Sequence, residues 1–209
     1  MSIKDDIRSR HRARRAALTQ ADLDAAGTAI AGHGAAWASA VADGGQGTFA
    51  AYLGVGSEPP TRALLAALHD AGHRVLLPVC EPELALSWVY WTPASGFARS
   101  RYAPIQEPVG ERLGTSVMLG ATGIFLPATA LDGSGNRIGQ GGGYYDKFLA
   151  ALAGLSWGRP VPEAGPLPTA AIVYDGEVLP AGSIPAEPFD RKVAAGLTPG
   201  GLAQLLPLS

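Results

Sequence analysis

The chain has 209 residues, 47% of them apolar, enough for a substantial core in one domain or a domain with a small appendage. Its formal net charge of −2 excludes a general attraction to nucleic acid or anionic membrane, so any bound anion must be met by local charge. One cysteine (Cys80) excludes an internal disulfide, four scattered histidines offer no zinc spacing, and neither a secretory signal nor a membrane-length apolar run is expected; a reducing cytoplasm fits.

In chain order, Ile3, Ile7 and the alanines that follow predict a helix over residues 3–17, crowded with Lys4, Arg8, Arg10, Arg12, Arg14 and Arg15. Lys4 and Arg8 stand four residues apart and can face one anion. A solvated face is the plainer use of such charge, and RNA contact a weaker one, because no aromatics are interleaved. Thr19-Gln20-Ala21-Asp22 reads as a capping box opening a second helix that runs to about Ala42. Thr48 to Val55 is expected as a short buried strand, followed by Ser57-Glu58-Pro59-Pro60-Thr61 and a helix from Arg62 to Ala71 that Gly72 stops. Glu58 would then stand at the carboxyl end of a strand, where open α/β sheets hold ligands.

Arg74 to Val79 is the next expected strand, and Leu84 to Trp91 another, at an edge or half exposed. Phe97 to Gly110 lacks a regular period and reads as a long connection of the kind that often carries function. Thr122 to Pro127 is a short buried strand, and Ala130 to Asn136 a turn-rich crossing. The proline-rich stretch Leu155 to Pro168 reads as a surface loop, and Thr169 to Tyr174 as a strand. Four carboxylates follow (Asp175, Glu177, Glu187 and Asp190), then a strand from Val193 to Leu197 and a closing helical turn from Leu202 to Leu206. The alternation predicts a single α/β domain over residues 1–209, with a mainly parallel sheet flanked by helices.

The stretch from Asn136 to Lys147 concentrates chemistry. Gly139, Gly141, Gly142 and Gly143 let the backbone reach positive φ and bring its N–H groups close to a ligand. Tyr144, Tyr145, Lys147, Phe148, Leu149 and Leu152 continue as a helix, so the glycines would sit at its N-terminus and cradle phosphate. Asp146, in the first turn, could hold Mg²⁺ over bound phosphates. A glycine-rich turn before an ordinary helix is the plainer reading, since the loop matches neither the Walker A pattern nor GxGxxG.

Arg137-Ile138-Gly139-x-Gly141-Gly142-Gly143-Tyr144-Tyr145-Asp146, preceded by Leu126-Pro127-Ala128, Ala130, Asp132 and Gly135, resembles the signature of the 5-formyltetrahydrofolate cyclo-ligases, or methenyltetrahydrofolate synthetases. The resemblance continues through Lys4-x-x-Ile7-Arg8, Glu58-x-x-Thr61, Gln106-Glu107-Pro108 and Pro185-x-Glu187-x-x-Asp190-x-x-Val193 with Thr198. It implies the α/β cyclo-ligase architecture (NagB/RpiA/CoA transferase-like) and an ATP- and Mg²⁺-dependent enzyme converting 5-formyltetrahydrofolate to 5,10-methenyltetrahydrofolate. Such an enzyme would be a cytoplasmic monomer with a small-molecule substrate and neither nucleic acid nor membrane as partner. By matched position, Lys4 and Arg8 would contact the ATP phosphates. Arg137, Gly139, Gln140, Gly141, Gly142, Gly143, Tyr144 and Tyr145 would wrap the nucleotide, with Lys4 and Arg137 stabilising the transferring charge. Asp146 and Asp190 match magnesium positions, and Glu58 and Tyr145 match folate contacts; Tyr52 and Trp91 would be stacking surfaces or simple core aromatics.

The chain departs from the family pattern at four places. Gln140 stands where arginine or tyrosine is usual, Lys147 replaces an arginine, Phe189 a histidine and Ala194 an aspartate. Lysine keeps the charge but loses the bidentate fork, and Phe189 removes a polar neighbour of Asp190. A non-catalytic nucleotide- or folate-binding homologue is the alternative these departures leave open.

Overall fold

The computed structural model describes residues 2–155, 167–187 and 190–205. Helices α1 (Ile3–Ala16) and α2 (Gln20–Val41) each open with a reciprocal capping box, Ser2 with Asp5 and Thr19 with Asp22, which pairs N–H groups the first turn would otherwise leave free. Strand β1 (Thr48–Ala50), helix α3 (Arg62–Asp70) and strand β2 (Arg74–Cys80) make a parallel β-α-β unit. Strand β3 (Leu86–Trp91) returns antiparallel to β2, and β4 (Phe97–Arg99) with β5 (Gln106–Pro108) forms a hairpin. The remaining described elements are β6 (Gly123–Pro127), β7 (Ala130–Asp132), β8 (Arg137–Ile138), α4 (Tyr144–Gly154), β9 (Thr169–Ile172), β10 (Val178–Leu179), β11 (Ala195–Thr198) and β12 (Gly201–Gln204).

The main sheet has seven strands in the order β12-β11-β9-β6-β1-β2-β3, parallel through its centre with an antiparallel strand at each edge. Successive side chains of a strand point to opposite faces, and here both faces are apolar. Phe49, Val75, Leu77, Phe125 and Ile172 pack in one core with Ile30, Trp37, Leu64, Leu65 and Leu68 of α2 and α3. Ala50, Leu76, Ile124, Leu126 and Ala171 pack in the other with Met118 and with Phe148, Leu149 and Leu152 of α4. Gly34 lets α2 settle onto α3, since a Cβ there would lie 2.5 Å from Leu64 Cδ1. Helix α1 stands apart from these layers. Its Ile7 packs with Ala130, Ile138 and Ile184 around the small sheet β10-β7-β8.

Several expected elements differ. The first strand ends at Ala50 instead of Val55, because Thr61 Oγ1 donates to Tyr52 O at 2.6 Å and accepts from Gly54 N–H at 2.9 Å, turning the chain toward α3. The strand expected from Leu84 starts at Leu86 and is almost wholly buried despite its edge position, since Trp88 bonds to Leu113 through both backbone groups. The connection expected at 97–110 contains the β4–β5 hairpin, and the crossing at 130–136 begins with β7. The expected closing helix is a strand: β12 pairs antiparallel with β11, after Gly201 takes a φ of 137°. Phe189, Leu206 and most of the proline-rich 155–168 stretch lie outside the described residues.

Candidate functional site

The carboxyl ends of β1, β2 and β6 border a cleft of about 870 Å³, its open mouth included, into which Tyr52, Cys80 and Pro127 project from the strand ends. In the sheet, β1 has β2 on one side and β6 on the other, so the cleft lies where the strand order reverses, the customary ligand position in open α/β sheets. Residues Gly139 to Asp146 form one wall and Val55 and Glu58 stand opposite.

The glycine wall is a helix N-terminus. Gly143 caps α4 in the left-handed region (φ 77°) with no side-chain cap bond, and Gly141 has φ 99°. Both conformations favour glycine, and the uncapped first turn leaves N–H donors toward the cleft, the arrangement that attracts anions. Lys147 donates from Nζ to Glu83 O at 2.5 Å, steadying a turn in which Glu83 and Leu84 both hold positive φ. The lysine thereby has a use other than a bidentate anion contact.

Arg137 lies beneath this loop. Its side chain is only 3% exposed; Nη1 donates to Pro127 O at 3.0 Å and Nη2 to Asp146 Oδ1, while Nε has no partner. Burial draws its pKa below the usual value while Asp146 opposes this, and a guanidinium stays charged regardless. Asp146 is 62% exposed.

Glu58 is half-buried, and burial raises its pKa against the hydrogen bonds from Val55 N–H (3.0 Å) and Gln140 Nε2 (3.2 Å). Tyr52 and Tyr145 line the cleft beside it. Their buried hydroxyls have no hydrogen-bond partner, and burial followed by the charge of Glu58 pushes both well above the normal phenol range. Trp91 belongs to the core behind the sheet and does not line the cleft.

Four cations of α1 face three ways. Lys4 Nζ pairs with Asp190 Oδ2 at 2.7 Å and Glu187 Oε1 at 3.1 Å. Arg8 Nε donates to Gly139 O at 3.0 Å, and Arg12 Nη2 to Gln140 O at 3.1 Å, so consecutive carbonyls of the loop are held by residues four apart on the helix. Arg15 points inward, forming two bonds of 2.7 Å to Glu177 and one of 2.8 Å to Ala128 O. Arg137 and Asp190 lie within electrostatic reach of each other, which draws the N-terminal helix, the glycine loop and the segment around residue 190 to one place.

The expected residues therefore converge: Glu58, Arg137 and Gly139 to Asp146 line one cleft, with Arg8 bonded to its wall and the Lys4–Asp190 pair alongside. Sequence reasoning did not assign Arg12, the buried Arg15–Glu177 pair or the role of Glu107, whose Oε1 accepts from Cys80 N–H at 2.7 Å and anchors the hairpin against the cleft. The Gln106-Glu107-Pro108 motif was the available signal for the last; no local pattern distinguishes Arg15 from its exposed neighbours.

Among the described residues, no three His, Cys, Asp or Glu side chains gather as a ready metal cage. Asp146 and Asp190 instead each hold a cation. Yet Asp146 Oδ2 and Asp190 Oδ1 take part in no hydrogen bond among the described residues. Two carboxylates with spare oxygens beside an anion cradle fit Mg²⁺, which draws most of its ligands from phosphate and water.

A solved 5,10-methenyltetrahydrofolate synthetase from Aquifex aeolicus has a similar fold, with a TM-score of 0.70 at 21% identity over 98% of this chain and 93% of that one. One from Mycoplasma pneumoniae gives 0.66 at 15% identity, over 93% and 97%. At such identities these structures speak for the fold alone. In sequence, a 5-formyltetrahydrofolate cyclo-ligase of Mycolicibacterium smegmatis is 36% identical over 168 residues, 78% of each chain. The family model that describes such enzymes matches residues 1–199, a span holding both α1 and the glycine loop, and the chain belongs to the 5-formyltetrahydrofolate cyclo-ligase family.

Proposed function

We propose that this chain converts 5-formyltetrahydrofolate to 5,10-methenyltetrahydrofolate at the expense of ATP, releasing ADP and phosphate, with Mg²⁺ as cofactor. The observation that carries the reading is that Glu58 and the Arg137–Asp146 segment, 79 residues apart at their nearest ends, line a single cleft at the sheet's switch point.

The chemistry requires activation of a formamide. Its carbonyl carbon resists attack because nitrogen donates into it, and an oxide is a poor leaving group. The formyl oxygen attacks the γ-phosphorus, the bond from that phosphorus to the β-bridging oxygen breaks, and ADP departs. N10 of the same folate then attacks the formyl carbon and loses its proton. The carbon–oxygen bond breaks with its electron pair leaving on phosphate, and the methenyl bridge is complete. Proximity favours closure, since both nitrogens belong to one molecule.

The chain's part is positioning and charge. Backbone N–H groups at the start of α4, with Arg8, would hold the triphosphate, and Arg137 would offset the negative charge spread over the transferring group. Lys4 would be drawn from Asp190 and Glu187 toward phosphate. Bound at Asp146 and Asp190, Mg²⁺ would neutralise phosphate oxygens. Glu58 would accept from the N–H groups of the pterin ring, with the Tyr145 ring against the folate. Purified protein with 5-formyltetrahydrofolate, ATP and Mg²⁺ is expected to develop the near-ultraviolet absorbance of the methenyl product. No product above a protein-free control refutes the activity, and retained ATP binding in that case supports a non-catalytic homologue.

A further inference from the structure

Gln140 is held from both sides of the cleft. Its carbonyl accepts from Arg12 at 3.1 Å, next to the Gly139 carbonyl that accepts from Arg8 at 3.0 Å, so the main chain is tied to α1. Its side-chain Nε2 crosses to Glu58 Oε1 at 3.2 Å. The other oxygen of Glu58 accepts from Val55 N–H at 3.0 Å, so without ligand the carboxylate has both oxygens engaged.

The ties to α1 are of a kind that an anion breaks. A guanidinium bonded to a neutral carbonyl gains by exchanging it for a phosphate oxygen, because charge-assisted bonds are roughly twice as strong; Arg8 also pairs through Nη1 with Asp5 Oδ1 at 2.8 Å, an exposed pair that leaves its Nε bond to Gly139 O free to exchange. The backbone that would have to shift resists little: Gly141 and Gly142 are exposed, and a Cβ at either would have no neighbour closer than 3.8 Å. The tie to Glu58 is equally exchangeable, since a heterocycle with adjacent N–H donors offers two bonds where the Gln140 amide offers one.

We propose that Gln140 is a latch coupling the nucleotide and folate halves of the site. While its amide holds Glu58, the folate carboxylate is occupied. When a polyphosphate recruits Arg8 and Arg12 from the carbonyls of Gly139 and Gln140, the loop shifts, the amide leaves and Glu58 is released to the pterin. Gln140 is thus a positioning residue, and its signature is a ratio of affinities: nucleotide tightens folate, and folate tightens nucleotide by the same factor. The latch rests on the function proposed above, with nucleotide at the glycine loop and folate at Glu58.

The test is calorimetric binding of 5-formyltetrahydrofolate, with and without a non-hydrolysable ATP analogue and Mg²⁺, to the wild type and to Gln140→Met, which keeps the length and loses the amide. In the wild type the analogue is expected to tighten folate binding roughly five- to tenfold, the weight of one ordinary, solvent-exposed hydrogen bond. Gln140→Met should bind folate at about the tighter level without nucleotide, with the analogue adding less than about twofold. Coupling that survives in the variant, or nucleotide-free folate binding weaker than in the wild type, overturns the latch and leaves the function standing. A wild type that binds no folate in either state overturns both.

Discussion

Replacing Glu177 with glutamine tests what holds α1 in place. The Arg15 and Glu177 side chains are 2% and 4% exposed, and they share two bonds of 2.7 Å. The same carboxylate accepts from Tyr174 N–H at 2.9 Å. Glutamine preserves the shape but removes the charge, and its NH₂ must face a donor of either Arg15 or Tyr174. Removing one partner of a buried ion pair costs about 3–5 kcal/mol, which for a chain of this length lowers the melting temperature by ~6–20 °C. Urea unfolding of wild type and variant, with midpoint and slope compared, measures it. Because Arg15 shares a helix with Lys4, Arg8 and Arg12, the KM for ATP should rise more than the KM for folate. The paired replacement Arg15→Met with Glu177→Leu should recover much of the stability, since neither charge is then left buried alone. A cost below about 1 kcal/mol, the range of a surface pair, or a double variant no more stable than the single one, refutes the reasoning.

Two further outcomes are expected. Asp146→Ala should reduce turnover and flatten the dependence of rate on Mg²⁺ concentration; kinetics unchanged in both respects would remove Asp146 from the metal's surroundings. The Lys4–Asp190 pair should give stability a defined pH dependence. Burial acts to raise Asp190, but the hydrogen bonds from Lys4 and from Glu187 N–H outweigh it, so the carboxyl titrates below its ordinary 3.8. Its contribution is therefore complete above that value and lost as pH falls through the lower folded value. Burial likewise opposes Lys4, yet the bonds to Asp190 and Glu187 lift it above 10.5, so its share is present below 10.5 and lost as pH climbs through the folded value. The stability gap between wild type and Asp190→Asn, followed by chemical unfolding, should be level through neutrality and narrow below about pH 4; a gap that persists in acid contradicts the pairing.

Much of the fold was legible because its determinants are local. The capping box at Thr19, the unbroken apolar runs around Phe49, Leu76 and Phe125, and the glycine stop at Gly72 act within a few residues. Where the outcome was set by distant partners, local pattern failed. Leu202 and Leu205 suit a helical turn as well as a strand, and the choice is made by the free edge of β11. Leu84 to Trp91 read as an edge or half-exposed strand; it is an edge strand, but a buried one, because nothing nearby announces that Leu113 will cover its outer side. The site divides in the same way. Glycines, Asp146 and Glu58 were singled out by residue type and spacing, whereas Arg15 and Arg12 differ from the other arginines of α1 only in what the fold brings opposite them.

Helix α1 carries a consequence for how the protein is made. What it docks against is synthesised far later: Lys4 meets Asp190 across 186 positions, and Arg15 meets Glu177 across 162. At 14 residues it is marginal alone. The sheet from β1 to β3, with α2 and α3, can assemble while the helix waits undocked, since its partners Ile138 and Ile184 do not yet exist. The nucleotide affinity proposed above should thus appear late in translation, after residue 190 has cleared the exit tunnel. Nascent chains arrested before that point would lack β11, β12 and the Lys4–Asp190 pair, so under the proposed function ATP capture would report the docking of α1.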